Sequence, residues 1–102
     1  MKWNPLMLAG ALVAFCGGVQ AQTIDPLQVR DMAAACASCH GGQGRAEVGM
    51  ISLAGANKDD FLKKMIAYKT GQQTSTIMQQ LAKGYSDDQL AALGSYFSAQ
   101  KK

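Results

Sequence analysis

The residue types best suited to chemistry stand together in one short segment, CASCH, at 36–40. Cys36 and Cys39 are thiols separated by two residues, and His40, the only histidine of the chain, follows directly. Two thiols can form a disulfide, bind a metal as thiolates, or add to the vinyl groups of a haem. The adjacent imidazole can bind a metal ion. We therefore expect this segment to form the functional site.

The spacing of the segment favours covalent attachment of haem c. In C-x-x-C-H each thiol forms a thioether with one vinyl group, and the histidine that follows binds the iron. A thioredoxin-like dithiol requires βαβ units, and the chain shows no strand pattern. A structural zinc site requires four ligands, and the chain has no further histidine and no cysteine after Cys39. A plain disulfide does not account for His40.

Residues 1–21 are predicted to be a secretory signal peptide. Lys2 gives a positive start, and the apolar run that follows it is too short to span a membrane. Small residues then end at Ala21 in a V-x-A pattern, after which cleavage is expected. A lipid anchor on Cys16 is disfavoured, because bulky Phe15 precedes it. We therefore expect an exported, periplasmic protein.

The expected mature chain, residues 22–102, is a single small domain. A chain of this length buries a limited core and often needs a cofactor, a metal or a disulfide for stability. Removal of Lys2 lowers the formal charge of +3 by one. Such a small charge, without a basic run, gives no indication of nucleic-acid binding.

Four helices and no strand are predicted, which makes the fold all-α. The first helix is expected over 26–37 after the Asp25–Pro26 start, the second from Asn57 to a stop at Gly71, the third over about 77–83, and the fourth from the capping-box pair Ser86 and Gln89. Five glycines between positions 41 and 56 predict a loop there. The fourth helix should bury Leu90, Leu93, Tyr96 and Phe97, and the second should pack through Phe61, Leu62, Met65, Ile66 and Tyr68.

A second iron ligand would have to be a methionine, because no second histidine exists. Met32 lies one helical turn before Cys36 and does not easily reach the opposite face of a haem. Met50 lies in the loop that still passes the histidine side, and Met65 stands in an apolar helical stripe typical of core packing. Met78 follows the Gln- and Thr-rich link and is therefore the predicted distal ligand.

The imidazole of His40 should also have a hydrogen-bond partner. Histidines that bind a metal usually donate their other ring N–H to an acceptor, which fixes the orientation of the ring. A backbone carbonyl near Ile51 is the expected acceptor.

Taken together, these segments resemble the class I cytochromes c. The resemblance is carried by CASCHGGQG at 36–44, SLAG at 52–55, FLKKMIAYKTGQQ at 61–73 and IMQQLAKGYSDDQLAALGSYFSAQ at 77–100. It covers nearly all of the expected mature chain. Within the class, LAKGYSDDQL and the SYFSAQ ending are similar to the small cytochrome subunits of flavocytochrome c sulfide dehydrogenases.

The resemblance implies a class I fold of about four helices around one haem in an apolar crevice. Carried over to this chain, it makes Cys36 and Cys39 the thioether residues and His40 and Met78 the axial ligands of the iron. One departure is visible: the family usually has proline where this chain has Ile51. Any residue supplies the carbonyl that accepts from the histidine, so the departure concerns the rigidity of the loop.

The same resemblance implies that the first and last helices cross. Small Ala33 or Ala34 would then allow a close approach to Tyr96 and Phe97. Tyr85 and Tyr96 are expected to be packing residues.

The implied function is single-electron transfer, with no catalytic residue on this chain. As a subunit, the chain would accept electrons from a flavoprotein that oxidises sulfide and pass them to another soluble cytochrome. Two alternatives remain at this point. A free-standing cytochrome c would carry electrons to a terminal oxidase or another reductase, and a haem sensor would keep an open iron site if Met78 does not bind.

Overall fold

The computed structural model describes residues 17–18 and 23–102. Cys16, the expected cleavage site and the rest of the predicted signal peptide lie outside the described residues. The helices are α1, Pro26–His40; α2, Lys58–Thr70; α3, Met78–Lys83; and α4, Asp87–Ser98; a short 3-10 turn, Gly42–Gly44, follows α1. Residues 23–102 contain no strand, so the predicted all-α fold is confirmed. No helix in this part of the chain is long and apolar enough to cross a membrane.

The first helix begins as predicted but ends later. The Asp25 carboxylate accepts from the backbone N–H of Leu27 at 3.1 Å, and Pro26 follows at the start of the helix. The helix then continues to His40, three residues beyond the predicted end, because nothing before Gly41 interrupts it. Gly41 has φ +84°, and a Cβ there would lie 1.8 Å from the Arg45 carbonyl oxygen. Only glycine fits this turn, so the helix ends there.

The other helices have the termini that their sequences predict. The Asn57 side chain accepts from the N–H groups of Asp59 and Asp60, and Gly71 ends α2 in the left-handed conformation. Ser86 and Gln89 form the reciprocal capping box that begins α4.

The core lies between the four helices. Its buried residues are Val29 and Ala33 from α1, Phe61 and Met65 from α2, Ala82 from α3, and Leu90, Leu93 and Phe97 from α4. Met65 is 7% exposed, which confirms its predicted role in packing. Tyr96 packs against the core as predicted, but it is half-buried and not buried, and it meets the Phe97 ring edge-on, with centroids 5.2 Å apart.

The fourth helix lies against both α1 and α2. Ala33 is buried while Ala34 is exposed, so Ala33 is the small residue on the buried side of α1. Against α2, Gly94 lies under Phe61, where a Cβ would be 3.1 Å from the ring. Buried Val29 and Ala33 hold α1, and with it the CASCH segment, on the core.

Candidate haem site

The last turn of α1 brings the three predicted residues of the CASCH segment onto one side of the helix. Because the helix runs through His40, Cys39 and His40 stand three and four residues after Cys36. Residues at these separations are neighbours on a helix surface. The two thiols and the imidazole are thus presented to the same region of space, as attachment of one planar group requires.

The two thiols differ in their surroundings. Cys36 is half-buried and packs against the core, and its Sγ lies 3.8 Å from the Met32 carbonyl oxygen, to which it can donate. Cys39 is exposed, and both thiols are free. Burial raises the pKa of the Cys36 thiol, although a backbone hydrogen bond opposes the effect. Reactive dithiols instead have a lowered pKa, so the environment of Cys36 argues against a redox dithiol.

The orientation of the His40 ring is set by the loop that follows α1. Its Nδ1 lies 2.6 Å from the carbonyl oxygen of Ile51, and since a carbonyl only accepts, Nδ1 carries the proton. The predicted acceptor is therefore confirmed, and isoleucine in place of proline has kept the carbonyl in position. In this tautomer Nε2 has a free lone pair with which it could bind iron.

Backbone hydrogen bonds place the Ile51 carbonyl. Gly44 accepts from the N–H groups of Leu53 and Ala54 at 2.7 and 3.1 Å, and the Ser52 hydroxyl accepts from Ala46 N–H at 3.0 Å. Both ends of the loop segment that carries Ile51 are thus held. Because these bonds are made largely by the main chain, the position of the carbonyl depends little on the side chain of residue 51.

Met78 is the first residue of α3 and is half-buried against the core, as is Cys36. The other methionines of the expected mature chain are placed less suitably for the distal side. Met65 is part of the core, Met32 is on α1 with the thiols, and Met50 is 48% exposed next to Ile51, on the loop that bonds to His40 Nδ1. The surroundings of Met78 thus fit the predicted role best.

Exposed apolar side chains accompany both parts of the site. Among the described residues, the exposed large hydrophobic side chains are Leu27, Val48, Met50, Ile51, Ile77 and Leu81. All but Leu27 lie in the loop that holds His40 or directly around Met78. Exposed apolar area costs about 25 cal/mol per Å² relative to burial. The two segments therefore fit a large apolar group such as a haem, which would cover part of this surface.

Two features of the site were not anticipated from sequence. Tyr85 packs against the core as predicted, but it also lies near Cys36: burial raises the pKa of Tyr85, and the charge of a Cys36 thiolate raises it further. The Ser75 hydroxyl accepts from the N–H of Gln79 at the start of α3. A serine shortly before a helix is the available signal for such a bond, but the sequence does not show which of several hydroxyls makes it.

Residues 23–102 hold no group of three or more His, Cys, Asp and Glu side chains that could bind a metal ion by themselves. An all-α fold with C-x-x-C-H on the last turn of its first helix is instead the arrangement of a c-type cytochrome.

Comparison with known proteins agrees with this class. The cytochrome subunit of sulfide dehydrogenase from Chlorobaculum tepidum is 33% identical over 67 residues, 66% of this chain and 61% of that protein. Cytochrome c4 from Pseudomonas aeruginosa is 31% identical over 99 residues, 96% of this chain and 49% of that protein. Cytochrome c-554(548) from Halomonas halodenitrificans is 32% identical over 76 residues, 70% of this chain and 90% of that protein.

The chain belongs to the class I c-type cytochromes. The proteins of this class are electron carriers, and the chain accordingly binds haem c, an iron porphyrin, through covalent bonds. The chain spans only 61% and 49% of the first two relatives. No protein-family profile matches it.

Proposed function

We propose that Cys36 and Cys39 hold the haem through thioethers and that His40 Nε2 and the Met78 sulfur are the axial ligands of its iron. The observation that carries the proximal half of this assignment is the hydrogen bond from His40 Nδ1 to the Ile51 carbonyl oxygen at 2.6 Å. It fixes a ring whose other nitrogen is free, beside two thiols on the same face of α1.

The residues of the site would act by holding and shielding the group. The bound haem supplies the reversible change of one electron at its iron. The Ile51 carbonyl makes the imidazole of His40 a stronger donor by accepting its N–H. The Met78 sulfur would raise the reduction potential and would keep a substrate or external ligand from the iron. Function then depends on electron transfer to docked partners, whose contacts are typically small and transient.

We further propose that the working protein is the periplasmic domain 22–102, released from a signal peptide at 1–21. The order of Lys2, the apolar run and the small residues up to Ala21 supports export. In an oxidising compartment two free thiols could form a disulfide. Thioether bonds to the haem would prevent this, so haem attachment is compatible with export.

For the physiological role, we favour the cytochrome subunit of a flavoprotein sulfide dehydrogenase. Two observations support it: the similarity to the cytochrome subunit from Chlorobaculum tepidum and the resemblance carried by residues 77–100. The flavoprotein would donate electrons singly to this haem, and another soluble cytochrome would accept them. The alternative is a free-standing carrier that serves a terminal oxidase or another reductase. Co-purification from the native periplasm, with a flavin assay on the complex, separates the two.

The ligand assignment is tested by replacing Met78 with alanine in the purified ferric holoprotein. We expect loss of the weak far-red absorption band of methionine-ligated ferric haem and new, tight binding of cyanide. Met65→Ala is the matched control, because it removes a buried methionine from the core and should retain the band. A wild-type protein that lacks the band and binds cyanide readily would favour the sensor function instead.

A further inference from the structure

Ser75 lies in the uncharged link between α2 and α3, three residues before Met78. Its Oγ accepts a hydrogen bond from the backbone N–H of Gln79 at 3.1 Å, in a partly buried setting. Gln79 is the second residue of α3. The bond therefore does for α3 what an N-cap side chain does for a longer helix: it satisfies a donor of the first turn.

No other side chain performs this task for α3. The helix has six residues, too few to be stable by itself. Its N-cap residue is Ile77, which makes no side-chain capping bond. The Ile77 carbonyl accepts from the N–H groups of Gln80 and Leu81 at 2.9 and 3.0 Å. Those bonds leave the N–H of Gln79 to Ser75.

Two contacts fix α3, and both are made by residues that follow Met78. The nearer one is the bond from Gln79 to Ser75. The farther one is made by Ala82, which is completely buried in the core. The first turn of a helix is the part that frays most easily, and Met78 begins that turn. The position of its side chain therefore depends on the Ser75 bond more directly than on the burial of Ala82.

We propose that Ser75 is a positioning residue for the distal ligand, whose hydroxyl holds the first turn of α3 so that the Met78 sulfur stays bound to the iron. The inference rests on the proposed assignment of Met78. Without the hydroxyl, the methionine is still present, but the first turn opens more often. External ligands then reach the iron more often, although the fold is retained.

The test is a titration of ferric Ser75→Ala holoprotein with imidazole, followed through the far-red band. Imidazole binds the iron only when Met78 has left it, so its apparent affinity reports how often the turn opens. We expect the affinity to rise about fivefold over wild type, a typical effect of losing one cap. The band should be present before imidazole is added. Ser75→Thr and Ser75→Asn keep an acceptor, and at least one should return to the wild-type affinity.

The matched control is Thr76→Ala, which removes an exposed hydroxyl of the same link that makes no hydrogen bond within residues 23–102. Its affinity for imidazole should equal that of wild type. The inference is overturned if Ser75→Ala binds imidazole with unchanged affinity. It is also overturned if Thr76→Ala shows the same rise in imidazole affinity, or if both Ser75→Thr and Ser75→Asn show it. A lower denaturation midpoint with unchanged affinity overturns it too, and would assign Ser75 a general structural role.

The test separates this inference from the proposed function. If Met78→Ala keeps the far-red band, Met78 is not the ligand, and the role of Ser75 falls with it. If Met78→Ala loses the band but Ser75→Ala behaves as wild type, the ligand assignment stands and only the role of Ser75 is wrong.

Discussion

The two sides of the proposed iron site are held in different ways. The proximal side, residues 36–56, joins α1 to the core through main-chain bonds: Gly44 accepts from two loop N–H groups, and Gly55 N–H donates to the Phe97 carbonyl at 2.9 Å. The distal side, residues 71–83, is a link and a six-residue helix. There the backbone N–H groups of Gly71 and Gln73 donate to the Tyr68 and Ala67 carbonyl oxygens at 3.2 and 3.0 Å, and the Ser75 side chain makes the bond between the link and the start of α3.

The difference suggests which ligand is fixed and which is adjustable. Main-chain bonds survive most substitutions, and the proximal side illustrates this: Ile51 stands where the family usually has proline, and the carbonyl still meets His40. A side-chain bond is lost with one substitution. We therefore expect the position of His40 to change little on substitution of loop residues. The position of Met78 should instead be sensitive to single substitutions in the link.

The largest effect is expected from removing the covalent attachment on the proximal side. In the double variant Cys36→Ala/Cys39→Ala, the exported protein should have the mass of the bare polypeptide and no cooperative thermal transition by circular dichroism. The reason is the small core of a domain of this size together with apolar side chains at Val48, Ile51 and Ile77 that the polypeptide alone leaves exposed. Without the haem, the proximal and distal sides lose the group that both would contact.

The control for this variant is Ser38→Ala, a change at an exposed position of the same helical turn. It should retain the haem and the thermal transition of wild type. Cooperative melting of the haem-free double variant would contradict the comparison, since both sides would then be held by the polypeptide alone.

A smaller effect is expected from a substitution in the turn that leads into the proximal loop. Gly41→Ala should lower the free energy of unfolding by about 3 kcal/mol, because alanine is strained at φ +84° and its Cβ would meet the Arg45 backbone. The measurement is denaturant unfolding of the ferric holoprotein. We also expect the variant to bind haem less completely, since the same turn leads to the carbonyl that orients His40.

The adjacent Gly42→Ala is a matched control. A Cβ at Gly42 has no atom within 4 Å, and its φ is not positive, so its unfolding free energy should stay within about 0.5 kcal/mol of wild type. Equal free energies of unfolding for the two alanine variants would mean that the backbone of the turn after α1 rearranges at little cost. The proximal side would then be no more rigid than the distal one.

Much of this architecture follows from local sequence signals. The caps at Asp25, Asn57 and Ser86 and the stop at Gly71 are read from residue types whose hydrogen bonds or φ angles have few alternatives. The Ile51 acceptor is predictable for a similar reason, because a histidine on a helix end needs an acceptor and a short loop offers few.

The remaining features depend on tertiary packing. The predicted end of α1 at residue 37 is too early, because no residue before Gly41 interrupts the helix. The close approach of the Arg45 backbone, which makes Gly41 the only residue that fits the turn, is not visible in the sequence. Tyr96 packs against the core as predicted but is less buried than its spacing suggests, because spacing alone does not distinguish the centre of a buried stripe from its edge. The bond from Gln79 to Ser75 requires the link to fold back onto the start of α3, and the sequence of the link does not specify that path.

The smallest predicted effect concerns an ion pair that flanks the distal side. Lys69 Nζ, near the end of α2, lies 2.8 Å from Asp87 Oδ1, at the start of α4, and the two side chains are 29% and 68% exposed, respectively. A double-mutant cycle with Lys69→Gln and Asp87→Asn should give a coupling of about 0.5 kcal/mol or less, because exposed pairs are well screened. Added salt should reduce it further.

Asp88 provides the matched cycle, since it is an exposed carboxylate of the same helical turn for which no ion pair is found within residues 23–102. Its coupling to Lys69 should be near zero. A coupling between Lys69 and Asp87 above about 1.5 kcal/mol would exceed what exposed pairs provide. The ion pair would then join the end of α2 firmly to the start of α4, and it would stabilise the distal side together with the Ser75 bond. In that case Lys69→Gln should itself raise the imidazole affinity of the ferric protein, whereas a weak pair predicts no change.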